Sequence, residues 1–139
     1  MVWLFCRQGF LSAVCARKDE GRSRELDVGL IMVRSRSRAH LEGVVRAYPT
    51  VAWLNPDAPV KLTSGTDYPA RAFLPKPEFV KLLAAIATDV DYDNVKVACG
   101  AVHGPRSTFL SCMHTVWSVM TRLEHPPSIP RAPGGPNDL

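Results

Sequence analysis

Residues 30–48 read LIMVRSRSRAHLEGVVRAY, and the predicted fold is built around this segment. In its first half Ile31 and Val33 alternate with Arg34 and Arg36, the period of two of a strand that has one buried and one open face. Ser37 then follows as a predicted helix N-cap. The second half has helical spacing, with a single apolar stripe formed by Leu41, Val44, Val45 and Tyr48.

Further strands and helices are predicted on both sides of this stretch. Upstream, strands over 2–6 and 10–17 join at the turn Arg7-Gln8-Gly9, and a polar connection over 18–27 leads to the strand over 30–36. Downstream, the pattern predicts strands over 60–63 and 71–74, then helices that begin at Pro77, at Val95 (a short helix over 95–99) and at Ser107. In the last helix, over 107–124, the expected buried residues are Phe109, Met113, Val116, Met120 and Leu123.

This order of elements predicts an α+β fold in which an antiparallel sheet carries helices on one face. Its central strand–helix–strand–strand–helix portion is typical of a ferredoxin-like plait. The N-terminal hairpin would take the place of the missing final strand, as a permuted version. We expect one domain over 1–125. The tail over 126–139 is expected to be disordered, because seven of its fourteen residues are Pro or Gly.

Length and composition fit one globular domain, with 139 residues, 46% apolar and 22% charged. The net charge of +4 lies wholly in residues 1–48, where eight of the nine cations are arginines. No apolar run is long enough for a membrane span, which needs roughly 18 residues. The N-terminus lacks the basic region of a secretion signal. We therefore expect a cytoplasmic protein with reduced cysteines and no membrane partner.

The arginine-bearing strand is the main candidate for a binding surface. If Ile31 and Val33 face the helices, Arg34 and Arg36 project from the open face and Arg38 lies just beyond them. Guanidinium groups suit an acidic protein surface or nucleic-acid phosphates. The alternative is that they pair with carboxylates of the fold itself. The candidate binding residues are Arg7, Arg34, Arg36, Arg38, Tyr68, His114 and Trp117.

Metal and enzyme chemistry have weaker patterns. Cys99, His103, Cys112 and His114 are four soft or borderline ligands within sixteen residues, but Cys112 and His114 point about 200° apart on a helix, which favours buried structural cysteines over zinc. Asp89, Asp91 and Asp93 open like a calcium loop but lack its glycine and glutamate, which favours helix-end roles. A small enzyme would use His114 as a general base with Asp91 or Asp93, although a core histidine is the commoner role. We assign no catalytic residue, metal or cofactor.

Several segments together resemble a family of short bacterial or phage proteins of the cytosol. They are Trp3-Leu4-Phe5, Gly9-Phe10, residues 32–36, Asp67-Tyr68, residues 91–94 and the His114-x-x-Trp117-x-x-Met120 run. The resemblance implies an origin and no activity. The leading hypothesis is a non-enzymatic module for protein–protein contacts, such as an adaptor or a phage inhibitor of a host complex. The alternative is a nucleic-acid-binding module with an RNA-recognition-like sheet.

Overall fold

The computed structural model describes residues 1–124, so the predicted tail over 126–139 lies outside the described residues. The strands are β1 Val2–Cys6, β2 Gly9–Arg17, β3 Leu26–Ser35, β4 Lys61–Leu62 and β5 Ala70–Pro75. The α-helices are α1 Arg38–Ala47, α2 Lys76–Thr88, α3 Val95–His103 and α4 Thr108–Met120. None of these helices is long and apolar enough to cross a membrane.

The strands form one antiparallel sheet in the order β1-β2-β3-β5-β4. This confirms the predicted α+β class. Since β3 and β4 both run antiparallel to β5, the crossover through α1 joins two parallel strands with β5 between them. β2 pairs with the other edge of β3, on the side away from β5. The relation to a permuted ferredoxin-like plait stays a prediction.

The main core lies between the sheet and the helices α1 and α2. The sheet contributes Leu11, Ala13, Ile31, Val33, Ala70, Ala72 and Leu74, and the helices contribute Leu41, Val44, Phe79 and Leu82. The small side chains of Ala70 and Ala72 allow the helices to approach β5 closely. Ser37 begins α1 as predicted, because its Oγ accepts a hydrogen bond from the His40 backbone N–H at 3.4 Å.

Some element boundaries differ from those predicted. β3 begins at Leu26, within the segment predicted as a polar connection, because it keeps pairing with β2 past a bulge between Cys15 and Ala16. β4 has only two residues, and α3 continues to His103 through a segment predicted as a loop. The sequence pattern placed the elements in the right order, and the differences lie in where β3, β4 and α3 begin and end.

The predicted apolar stripe of α4 is only half buried. Phe109 and Met113 pack with Cys99 of α3 in a second, smaller cluster. Val116, Met120 and Leu123 are exposed, contrary to the prediction. Within the described chain, α4 continues past the surface on which it packs, so its last turns have no apolar neighbour to cover them.

The α3–α4 pair packs against the turn between β1 and β2. His40 of α1 lies at this junction, with its ring centre 4.5 Å from that of Phe109 and 4.9 Å from that of His103. Gly9 has φ +147, and a Cβ built there would lie 2.3 Å from His40 Cγ. Glycine is therefore required at this position for both conformation and space.

We expect Gly9→Ala to lower the free energy of unfolding by about 3 kcal/mol or more, since the new methyl group must displace the His40 ring. Urea titration measures this change. Gly43→Ala in α1 is the matched control, because its Cβ would meet nothing closer than 3.8 Å and alanine favours helix. Equal stability of Gly9→Ala and wild type would contradict the close approach.

Candidate functional site

The open face of the sheet carries cations and aromatic rings. Pairing across the strands aligns Trp3, Ser12, Arg34, Arg71 and Lys61 in one row. Phe5 and Phe10 form the neighbouring pair on β1 and β2. Val14, Met32 and Phe73 form the next row on this face, and Leu30 and Pro75 pair beyond it, so these paired rows contain no acidic residue.

Arg34 and Arg36 share one aromatic ring, that of Tyr68. Their guanidinium carbons lie 4.5 and 5.0 Å from its centre, a distance at which cation–π attraction is significant. Tyr68 is only 4% exposed, because the two arginines and neighbouring side chains cover it. The structure therefore brings together three of the predicted site residues in one contact.

Two further contacts fix the arginines on this face. Arg34 Nε donates to Ser12 Oγ at 3.2 Å, and Ser12 itself is fully buried. Arg71 Nε donates to the Tyr68 carbonyl at 3.2 Å, which holds the chain just before β5. The guanidinium groups are thus oriented by the fold before any partner arrives.

The charges of these arginines are not neutralised by carboxylates of the described chain. The ion pairs within residues 1–124 involve Arg7, Lys18, Arg22, Arg38 and Lys81, and none includes Arg34, Arg36 or Arg71. The guanidinium carbons of Arg34 and Arg36 both lie within 5.0 Å of the centre of the Tyr68 ring, so the two positive charges are also close to each other. Like charges held this close favour an anionic partner.

A chain of aromatic rings continues from Tyr68 to the edge of the sheet. The Phe10 ring lies 6.4 Å from Tyr68, stacks on Phe5 at 4.8 Å and meets Trp3 edge-on at 5.8 Å. Trp3 is 57% exposed and Phe5 37% exposed, whereas Phe10 is half-buried and also contacts the α3–α4 cluster. The two most exposed rings of this face therefore lie on β1.

The structure does not bring the other predicted binding residues to this face. Arg38 is the first residue of α1 rather than an extension of β3, and it forms an ion pair with Glu42 one helical turn on. His114 and Trp117 are exposed on α4, where Trp117 packs under Lys96 Nζ at 4.9 Å. No ring contact or hydrogen bond of the described residues joins His114 or Trp117 to Arg34 or Arg36.

Arg7, in the turn between β1 and β2, interacts with the chain itself. Its guanidinium pairs with Asp89 and Asp91 at the end of α2 and lies 5.1 Å from the Tyr92 ring centre. The hydrogen bond that Arg7 donates to the Asp91 carboxylate raises the pKa of Arg7, and burial opposes that effect. Asp89 also accepts a hydrogen bond from Tyr48 at 3.2 Å. Arg7 therefore connects the hairpin to the segment between α2 and α3.

Burial shifts the pKa values of two thiols and one imidazole near this turn. Burial raises the pKa of Cys6, and it raises that of Cys99 to about 11, so both thiols stay protonated at neutral pH. His103 Nε2 donates to the Arg7 carbonyl at 2.9 Å. Burial, with the neighbouring His103, lowers the pKa of His40 to about 4. Neutral His40 accepts a hydrogen bond from the Phe10 N–H through Nδ1 at 3.3 Å.

The contacts of the described residues do not assemble the predicted enzyme site. Asp91 is engaged with Arg7, while His114 is exposed on α4. Two shallow surface depressions border α1, and neither contains His114, Asp91 or Asp93. Residues 1–124 contain no group of three side chains arranged to hold a metal ion. Cys112 is exposed, whereas it was expected to be a buried structural cysteine.

Sequence reasoning missed Ser12 and Arg71 as parts of the site. Alternation along β2 places Phe10 and Ser12 on one face, and alternation along β5 places Arg71 opposite Ala72. The register that aligns these positions with Arg34 comes from backbone pairing between strands, and this register cannot be read from a single sequence.

We expect Tyr68→Leu to loosen Arg34, while Tyr68→Phe leaves it ordered, because phenylalanine keeps the ring on which the guanidinium stacks. The measurement is ¹⁵N relaxation of the arginine Nε–H groups, with an order parameter near 0.8 falling to about 0.5 in Tyr68→Leu. Exposed Arg24 is the internal reference. An unchanged Arg34 signal in Tyr68→Leu would refute the role of the ring.

The low pKa of His40 makes stability depend on pH. Its unfolded pKa is near 6.5, so the unfolded chain takes up the proton first as the pH falls, and stability is lost between about pH 6.5 and pH 4. The variant His40→Asn keeps an acceptor for the Phe10 N–H but cannot take up this proton. We expect its free energy of unfolding to fall less on acidification than that of wild type, by on the order of 2 kcal/mol once partial exposure of His40 is discounted.

Urea titrations at several pH values across this window measure the effect. His114→Asn, at an exposed position of α4, should keep the wild-type pH dependence. The assignment to His40 is wrong if His40→Asn loses as much stability on acidification as wild type does.

Comparisons of the chain with protein-family models, with curated proteins and with solved structures find no significant match. The resemblance to short bacterial or phage proteins therefore stays a prediction. The geometry of the open face is therefore the basis for assigning a function.

Proposed function

We propose that the chain is a non-enzymatic binding module that contacts an acidic protein surface through its open sheet face. The observation that carries this proposal is the pair Arg34 and Arg36, stacked on one buried ring with no carboxylate of the described chain beside them. Ser12, Arg71 and Phe10 complete the site.

Arginines held in this way suit a protein interface. Immobilising a long side chain on binding costs about 0.5–1.5 kcal/mol, and part of that cost falls away when the guanidinium is already stacked and hydrogen-bonded. The planar group can still accept a carboxylate in the bidentate manner. Arginine and aromatic residues are also the types most often found at the energetic centre of interfaces.

The covered rings favour a protein over a single-stranded nucleic acid. Base stacking needs an aromatic ring with a free face. The Tyr68 ring is 4% exposed beneath the arginines, and Phe10 is enclosed by Phe5, Trp3 and the α3–α4 cluster. Phe73 on β5 is likewise half-buried, so an RNA-recognition-like platform at the centre of the sheet is disfavoured.

We also propose a cytoplasmic location. Its support is that Cys6, Cys15, Cys99 and Cys112 are all free thiols. Free cysteines are typical of reducing compartments.

A binding titration with defined polyanions tests the function. The probes are poly-L-glutamate and a single-stranded oligonucleotide of matched charge, each titrated at two salt concentrations. We expect poly-L-glutamate to bind the wild type and to bind Arg34→Ala/Arg36→Ala about tenfold more weakly, which corresponds to about 1.4 kcal/mol.

Arg24→Gln/Arg106→Gln is the matched control, because it removes the same charge from two exposed arginines elsewhere. It should change affinity less than twofold if orientation rather than total charge decides binding. Equal weakening in both variants would overturn the proposal. Tighter oligonucleotide binding with a steep salt dependence would assign the face to nucleic acid instead.

A further inference from the structure

β1 is an edge strand whose outer side is unpaired within the described chain. Cys6 and Gly9 flank the two-residue turn and form its closing hydrogen-bonded pair, so Trp3 and Phe5 occupy the alternate positions. Their N–H and C=O groups therefore point away from β2. No hydrogen bond of residues 1–124 reaches these outward groups; the side-chain contacts in this region go to the carbonyls of Cys6 and Arg7.

β1 also lacks the features that keep an edge strand from pairing. Its five residues, VWLFC, include no charge, no proline and no glycine, and Val2, Trp3 and Phe5 are exposed. The opposite edge is different, since β4 has two residues and one of them is Lys61. Short strands and lysines are common protection at sheet edges. Only the β1 edge presents an uncharged five-residue template.

We propose that β1 is the homodimer interface of this protein, and that it pairs antiparallel with β1 of a second copy. The two-fold axis passes beside Leu4, which lies opposite Leu4 of the other copy. Trp3 then faces Phe5 of the other copy, and the outward groups of these two residues form four hydrogen bonds. The result is a continuous ten-stranded sheet.

The strand matches its own copy on both faces. On the open face, Trp3 and Phe5 of one copy meet Phe5 and Trp3 of the other, an aromatic pairing that stabilises antiparallel strands. On the other face Leu4 meets Leu4 next to the main core, against which it already packs. An isologous interface of this kind closes as a dimer and leaves no free edge at β1.

The charge distribution permits two like-charged copies to meet here. Along their paired residues, 2–6 and 9–13, β1 and β2 carry no charged side chain, and Arg34 lies on β3, two strands away from the edge. At about 4.8 Å per strand, Arg34 and its counterpart stand roughly 24 Å apart, beyond the screening length of about 8 Å at physiological salt. Repulsion between the two cationic surfaces is therefore small at the joint.

Sedimentation velocity of the full chain over about 1–200 µM tests the association, and we expect a monomer–dimer equilibrium. Trp3→Lys should raise the dissociation constant at least tenfold by placing a charge at the joint. Trp117→Lys is the matched control, since Trp117 is an equally exposed indole on α4. A monomeric wild type, or equal weakening by Trp117→Lys, would overturn the proposal.

Cysteine cross-linking tests the register without depending on Trp3. In a Cys112→Ser background, Leu4→Cys should form a disulfide-linked dimer under mild oxidation, because directly opposite residues have Cα atoms about 4.5 Å apart in this pairing. Leu62→Cys, on the β4 edge, should form no disulfide-linked dimer under the same conditions. Failure of Leu4→Cys to link a dimeric protein would exclude this pairing. The result is separable from the poly-L-glutamate titration, which depends on Arg34 and Arg36.

Discussion

Val33 is completely buried between the sheet and the helices, and the pleat of β3 consequently places Arg34 on the opposite face. Ile31 and Ser35 share the buried side, so a slip of one residue in register would bury an arginine and expose an apolar row. The cost of burying an unpaired guanidinium is far greater than the gain from any single apolar contact. This alternation fixes which side chains of β3 lie on the open face.

Once Arg34 and Arg36 lie outside, Tyr68 determines how they are held. The residue precedes β5, and its backbone carbonyl accepts a hydrogen bond from Arg71 while its ring lies beside both other guanidiniums. A buried ring with a cation on it stabilises the loop and orients the charge in one contact. Structure and recognition are therefore coupled at Tyr68.

The alternation in β3, the Ser37 cap and the order of elements were readable from the sequence because each depends on residues close in the chain. The face shared by Arg34, Ser12 and Arg71 depends on register, which backbone hydrogen bonds decide. Arg38 does not continue the row of Arg34 and Arg36 as predicted, because Ser37 begins α1 immediately before it. Met120 and Leu123 were predicted to be buried because periodicity identifies an apolar side of a helix and gives no information on whether a neighbour covers it.

The N-terminal hairpin makes its last contacts with residues far along the chain. The Cys6 carbonyl accepts from Cys99, and the Arg7 carbonyl accepts from His103, at separations of 93 and 96 residues. Because the partners are so far apart in the chain, these contacts form only after residues 99 and 103 have been synthesised. During synthesis the first two strands leave the ribosome well before α3 exists. The nascent chain then exposes Trp3, Phe5 and Phe10 together, and this is the interval in which chaperones would engage it.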